Sequence, residues 1–249
     1  SSGRLLDAAG ILLARFTQVV RLPRGMAAAF VSILLKPEHP PTGGIWSQYF
    51  ASRLAWADET ASLRCGAQWF YRDANGERIF SPEWVEISDG MNPITCFSFG
   101  LPLHRRASPT WLDTLLIGTA DNQLFQFAVG LDCRFPTQMA LALLTAGRPS
   151  TTKLQSQPNS NRGWFLHIGA KNVIVTHLEP LEGDRNGIRL RLLETAGHDV
   201  RTNVAAFRPF RSARQTNFRG QADGVLSIVE GEVRLEICSH RWLQIEAEW

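Results

Sequence analysis

The chain has 249 residues, 44% of them hydrophobic, which is enough for one large or two small domains with a real core. Lysine and arginine number 26 against 23 acidic residues, a formal charge of +3, too even to argue for nucleic acid or a membrane surface as partner. No apolar run approaches the roughly 18 residues needed for a membrane-crossing helix.

Most of the sequence alternates apolar and polar residues with period two and is rich in Val, Ile, Leu, Phe and Trp, which is the pattern of strands. The chain opens Ser-Ser-Gly-Arg without a methionine and reads as a piece of a longer polypeptide. Apolar runs at residues 11–14 and 30–35 are strand-sized. Residues 46–56, WSQYFASRLAW, fit either a short helix or an extended segment. RDANGERIF (72–80) sets Asn75-Gly76 between two apolar-alternating arms, which predicts a hairpin. Residues 100–116, GLPLHRRASPTWLDTLL, turn at a glycine and a proline, present His104, Arg105 and Arg106, and then enter an apolar segment. TQMALALL (137–144) follows Pro136 and ends near Gly147, giving a short helix with start and stop signals.

Residues 145–162 hold one large apolar side chain, Leu154, among Pro, Ser, Thr, Gln and Asn, and predict an exposed linker. The block after it, residues 163–249, reads as all-β. Its strand after Asn186-Gly187 puts Ile188, Leu190 and Leu192 on one face and Arg189 and Arg191 on the other. LSIVEGEVRLEI (226–237) predicts a hairpin around Glu230-Gly231. The expected fold class is all-β, an antiparallel sandwich or two packed together.

Familiar catalytic signatures are missing: there is no Gly-rich phosphate loop, no GxSxG elbow and no HExxH. The four cysteines lie far apart, which argues against a zinc knuckle or a redox pair and for buried thiols. Six histidines are isolated from one another. Glycosidase chemistry needs two carboxyl groups at a set separation, and no spacing here picks such a pair. Aromatic side chains are abundant, with 8 Trp and 14 Phe. Trp69, Trp84 and Trp164 fall inside apolar alternation and read as core. Trp46 and Trp56, beside Gly43-Gly44 and Asp58-Glu59, suit core or ligand contact equally.

Four segments occur in order: GGIWSQYFASRLAWADE (43–59), GLPLHRRASPTWLDTLL (100–116), FQFAVGLDCRFPTQMALALL (125–144) and NVIVTHLEPLEGDRNGIRLRLLETAG (172–197). Together they resemble the C-terminal β-domains of glycoside hydrolase family 38 α-mannosidases, chiefly the bacterial type, over nearly the whole chain. The resemblance implies a galactose-mutarotase-like antiparallel supersandwich portion (1–144), then the linker (145–162) and a smaller β-sandwich (163–249). It also implies that zinc, its ligands and the nucleophile belong to an N-terminal catalytic domain that this sequence does not contain. The expected partners are therefore that domain and a mannoside. A family loop with paired arginines approaches the sugar, and the matching residues are His104, Arg105 and Arg106. One arginine is expected to contact sugar and the other to pair with a carboxylate such as Asp113. Tyr49, Arg53 and Trp56 are further candidates for the same substrate site. In eukaryotic members of the family an acidic, glycine-bearing run follows the arginine pair, and here Ala-Ser-Pro-Thr-Trp stands in its place. A stand-alone lectin-like carbohydrate-binding module and a purely structural β-domain are the competing readings.

Overall fold

Period-two alternation is realised as four antiparallel sheets in a computed structural model that describes residues 1–90, 92–118, 122–145, 163–183 and 185–249. The chain divides into two units, Ser1–Leu144 and Thr145–Trp249. The expected linker lies, apart from Thr145, outside the described residues.

The first unit begins with β1 (Ser2–Leu6), β2 (Leu12–Arg21), β3 (Ala28–Pro37), β4 (Phe50–Ala55), β5 (Ser62–Ala67) and β6 (Phe70–Asp73). It continues with β7 (Arg78–Phe80), β8 (Trp84–Ser88), β9 (Ile94–Phe97), β10 (Leu103–Ser108), β11 (Trp111–Leu116), β12 (Gln123–Leu131) and the helix α1 (Pro136–Leu144). Eight strands pair in the order β1-β2-β3-β12-β9-β8-β5-β6 and four in the order β4-β11-β10-β7. Side chains of both sheets meet in shared clusters. Leu112 and Ile79 of the small sheet join Leu63, Val85 and Ile87 of the large one, all under 5% exposed. Leu116 likewise meets Ile33, Phe125 and Phe127. Each such side chain, fully buried, contributes about 1.5–3 kcal/mol.

The helix forms where the sequence predicts it, starting on Pro136, whose missing N–H is no loss in a first turn. It covers Trp84, Phe97 and Ala128 on the outer face of the large sheet. Trp84 is 2% exposed, and its indole N–H donates to Thr137 Oγ1 at 3.2 Å. The indole fits because Gly66 lies opposite: a β-carbon there would stand 2.3 Å from the ring nitrogen.

The Asn75-Gly76 hairpin is not formed. Its arms diverge, β6 into the large sheet beside β5 and β7 into the small one beside β10. The local hairpin is instead β5–β6, turning at Gln68 and Trp69, both with positive φ (57° and 69°). Buried Glu83 holds that turn by accepting the Trp69 backbone N–H at 2.9 Å. Ala74, buried between the layers, anchors the divergence through its N–H to Leu63 O, at 2.8 Å. Residues 46–56 resolve as a turn followed by the strand β4.

The second unit contains β13 (Leu166–Ile168), β14 (Val173–Pro180), β15 (Gly187–Glu194), β16 (Val200–Ala206) and β17 (Ser212–Thr216). β18 (Ala222–Val225), β19 (Ile228–Val229), β20 (Glu232–Ile237) and β21 (Trp242–Glu248) complete it. Its sheets run β13-β16-β20-β19 and β14-β15-β21-β17-β18. Ile188, Leu190 and Leu192 pack in its core, as their alternation predicts. The β19–β20 hairpin turns at Glu230 and Gly231 with φ of 54° and 79°, as expected for that pair. Trp164, expected in the core, is 58% exposed, because it precedes the unit's first strand and joins no sheet. All four cysteines are free thiols, and Cys65, Cys96 and Cys133 are buried.

Candidate functional site

Strand register builds the site. Arg53 of β4 lies opposite Asp113 of β11, Asp113 opposite Arg105 of β10, and Arg105 opposite Arg78 of β7. One row of charged side chains therefore crosses all four strands of the small sheet. Their neighbours along the strands, Leu54, Leu112, His104 and Ile79, turn the other way, into the sandwich. With period two, the row belongs to the outer face.

Asp113 has no exposed surface, and its carboxylate is fully engaged. Arg53 grips it through Nε and Nη2 at 2.6 and 2.8 Å, and the Tyr49 hydroxyl donates to it at 3.1 Å. The same hydroxyl accepts from Arg105 Nη1 at 3.2 Å, and that nitrogen also donates to the carbonyl of Trp46 at 3.2 Å. Arg105 closes on Glu77 through Nε and Nη2, at 2.6 and 2.5 Å. Burial raises the Tyr49 pKa, with the Asp113 carboxylate acting in the same direction against Arg105, so the phenol stays a donor. The hydrogen bonds that Asp113 accepts from Arg53 raise the pKa of that guanidinium, which stays charged.

Aromatic rings flank the row. The Arg53 guanidinium stands 4.4 Å from the centre of the Trp111 ring, that of Arg105 5.8 Å from Tyr49, and that of Arg78 5.6 Å from Trp46. Such contacts orient planar guanidinium groups while leaving N–H edges for a ligand. Tyr49 also lines an apolar pocket of about 80 Å³ with Ile45, Phe50, Leu116 and Phe125.

Of the six residues expected to bind substrate, the structure gathers three, Arg105, Tyr49 and Arg53, on this face. The other three are placed elsewhere. His104 has no exposure. Its Nδ1 meets Thr114 Oγ1 and its Nε2 meets Ser98 Oγ and the Ser81 carbonyl, each at 3.1 Å. Burial lowers its pKa to about 4, although hydrogen bonds to the backbone at Ser81 and Leu101 act the other way, so the ring is a neutral internal brace. Arg106, one residue past the row, donates Nη2 to the carbonyls of Ala61 and Pro109, at 3.1 and 2.9 Å, and ties a hairpin end to the segment before β5. Trp56 packs its indole against the inner core cluster.

Asp113 does pair with an arginine, but with Arg53 rather than with one of the adjacent pair. Arg78, Glu77 and Trp111 were not anticipated as site residues. The one available signal was Asp113 itself, a lone acid within the apolar run WLDTLL. Among the described residues no three His, Cys, Asp or Glu side chains are grouped to hold a metal ion.

With this geometry in hand, two solved structures bear on it. A glycosyl hydrolase family 38 protein from Enterococcus faecalis superposes with a TM-score of 0.71 over 95% of this chain, at 12% sequence identity. An α-mannosidase from Enterococcus faecalis V583 gives 0.68 over 95%, at 13% identity. The fold is that of part of a family 38 glycosyl hydrolase. This chain spans only 30% and 29% of those two chains. No protein-family model and no curated protein matches the sequence. At these identities the likeness is one of fold.

Proposed function

We propose that this chain is a C-terminal accessory β portion of a glycoside hydrolase of the α-mannosidase type, and that the outer face of its small sheet helps shape the sugar site. In this reading zinc and the catalytic carboxylates belong to an N-terminal domain of the same polypeptide. The observation that carries it is the row Arg53–Asp113–Arg105–Arg78 with Tyr49, Trp46 and Trp111 beside it. Hydroxyl-rich ligands are held by fixed charged donors and by flat apolar faces, and this surface supplies both in braced positions. The bidentate grip of Arg53 on a buried carboxylate fixes the row before any ligand arrives, which limits the ordering cost of binding.

A stand-alone carbohydrate-binding module is the second reading, and the exposure of Trp111, 42%, favours it. The native gene product separates the two when its mass is measured with an antibody against this chain. A polypeptide several times 27.8 kDa supports the accessory reading, and one near 27.8 kDa overturns it in favour of the module. In the larger polypeptide, Arg105→Ala is expected to lower kcat/KM for an α-mannoside by about 10- to 100-fold, the scale of a charged hydrogen bond. Unchanged kinetics would remove Arg105 from the sugar site.

A further inference from the structure

We infer that the ligand of this face carries an anionic group, a carboxylate or a phosphate on a sugar, and that Arg78 and Trp46 seat it at the rim. The inference rests on the reading above and follows from the charge balance along the row. Three guanidinium groups, Arg53, Arg105 and Arg78, face two carboxylates. Asp113 is taken by Arg53 and Glu77 by Arg105. Arg78 is exposed on the edge strand β7 and has no carboxylate partner among the described residues; it stands over the face of Trp46.

Its neighbours make that surplus specific. Arg78 lies directly across from Arg105, so adjacent strands roughly 5 Å apart hold two cations side by side. Glu77 answers only one of them. An anionic substituent over this edge would be bound by a planar fork already oriented by stacking, the geometry that suits carboxylate and phosphate. The rest of the sugar would lie inward along the row, toward the Arg105 and Tyr49 donors. A neutral sugar would leave the Arg78 charge unanswered. The second unit shows the alternative outcome, since each of Arg185, Arg189 and Arg214 contacts a carboxylate.

The test is a titration of the 249-residue chain at low ionic strength, followed by NMR, with mannose, mannuronate, mannose 6-phosphate and inorganic phosphate. One or both acidic sugars are expected to bind at least about 10-fold more tightly than mannose, and which of them does so identifies the group. Arg78→Gln is expected to abolish that preference, so that the acidic sugars bind no more tightly than mannose, with circular dichroism confirming the fold. Equal affinity for mannose and both acidic sugars would overturn the inference and leave the proposed function standing. Inorganic phosphate binding as tightly as mannose 6-phosphate would also overturn it, since no sugar would then be read. No binding of any sugar would overturn it together with the second reading, a stand-alone carbohydrate-binding module.

Discussion

Asp113 and Glu246 are both buried carboxylates on interior strands, and both are gripped by arginines from the strands beside them. Around Glu246 the set is closed. Arg189 reaches it at 2.8 Å, Arg214 at 2.6 Å and Arg185 at 2.9 Å, while Glu179 and Glu248 take further contacts from Arg189 and Arg185. Three cations meet three carboxylates. Around Asp113 three cations meet two, and the third stands over a tryptophan. Similar parts on similar sheets thus make a structural lock in one unit and an open, ligand-ready row in the other. What separates them is the charge left unpaired, and that can be tested from both sides.

The largest effect is expected where the set is closed. Burial opposes ionisation of Glu246, but hydrogen bonds from Arg185, Arg189 and Arg214 outweigh it and bring its pKa down to about 2. Glu246→Gln keeps the shape but removes the charge that all three arginines share. It should cost about 3–5 kcal/mol, the scale of breaking a buried pair, read as a lower urea midpoint for the second unit. A loss under about 1 kcal/mol would mean that the three arginines are held by solvent rather than by the carboxylate.

Acid should separate the units further. His104 has a pKa of about 4 against an ordinary value of 6.5, so the folded first unit holds it neutral. Its contribution is complete above pH 6.5 and is lost as pH falls toward 4, a total of roughly 3 kcal/mol. Glu246, lowered from 4.5 to about 2, contributes fully above pH 4.5 and loses its share only below that. The sheet under the open row should therefore weaken first. Urea midpoints measured by NMR signals of each unit between pH 7 and 4 would show it. A first-unit midpoint that is flat over this window would contradict the buried neutral ring.

Asp113→Asn comes next. The carboxamide keeps a hydrogen bond or two but gives up the bidentate grip of Arg53, at a cost of about 2 kcal/mol. That is less than at Glu246, because one half-exposed arginine is released rather than three. A double variant with Arg53→Ala should cost little more than Asp113→Asn alone, since the two report one contact. Additive losses would show that the contact between Arg53 and Asp113 adds nothing to stability.

The fold was largely legible because it follows from local pattern. Alternation placed Ile188, Leu190 and Leu192 inward and Arg189 and Arg191 outward, and Pro136 opened the helix. Where local pattern failed, distant pairing had won. Asn75-Gly76 carries a strong turn dipeptide, yet its arms belong to different sheets because β5 pairs with β6 through a less suitable turn that Glu83 holds. The site was half legible for the same reason. Arg105 and Asp113 could be associated because they belong to one hairpin and are in register. Arg53 lies 60 residues from Asp113, so its bidentate grip is set by the β4–β11 register and not by spacing. His104 and Arg105 are adjacent in sequence, and that adjacency on a strand is what sends them to opposite faces.

The smallest effect is the most discriminating. Arg214 and Arg78 are both arginines on sheet faces, but Arg214 closes on a buried carboxylate and Arg78 on none among the described residues. Arg214→Ala removes two hydrogen bonds to Glu246, at 3.0 and 2.6 Å, and should cost about 1 kcal/mol after allowance for its partial exposure. Arg78→Ala should leave the urea midpoint of the first unit where it was, since the fold asks nothing of that charge beyond a ring contact at the rim. A side chain that can be removed without loss of stability, yet stands in register with a braced row, is free to answer to a ligand. If Arg78→Ala destabilises the first unit as much as Arg214→Ala destabilises the second, the two rows are alike, and the difference between lock and binding face disappears.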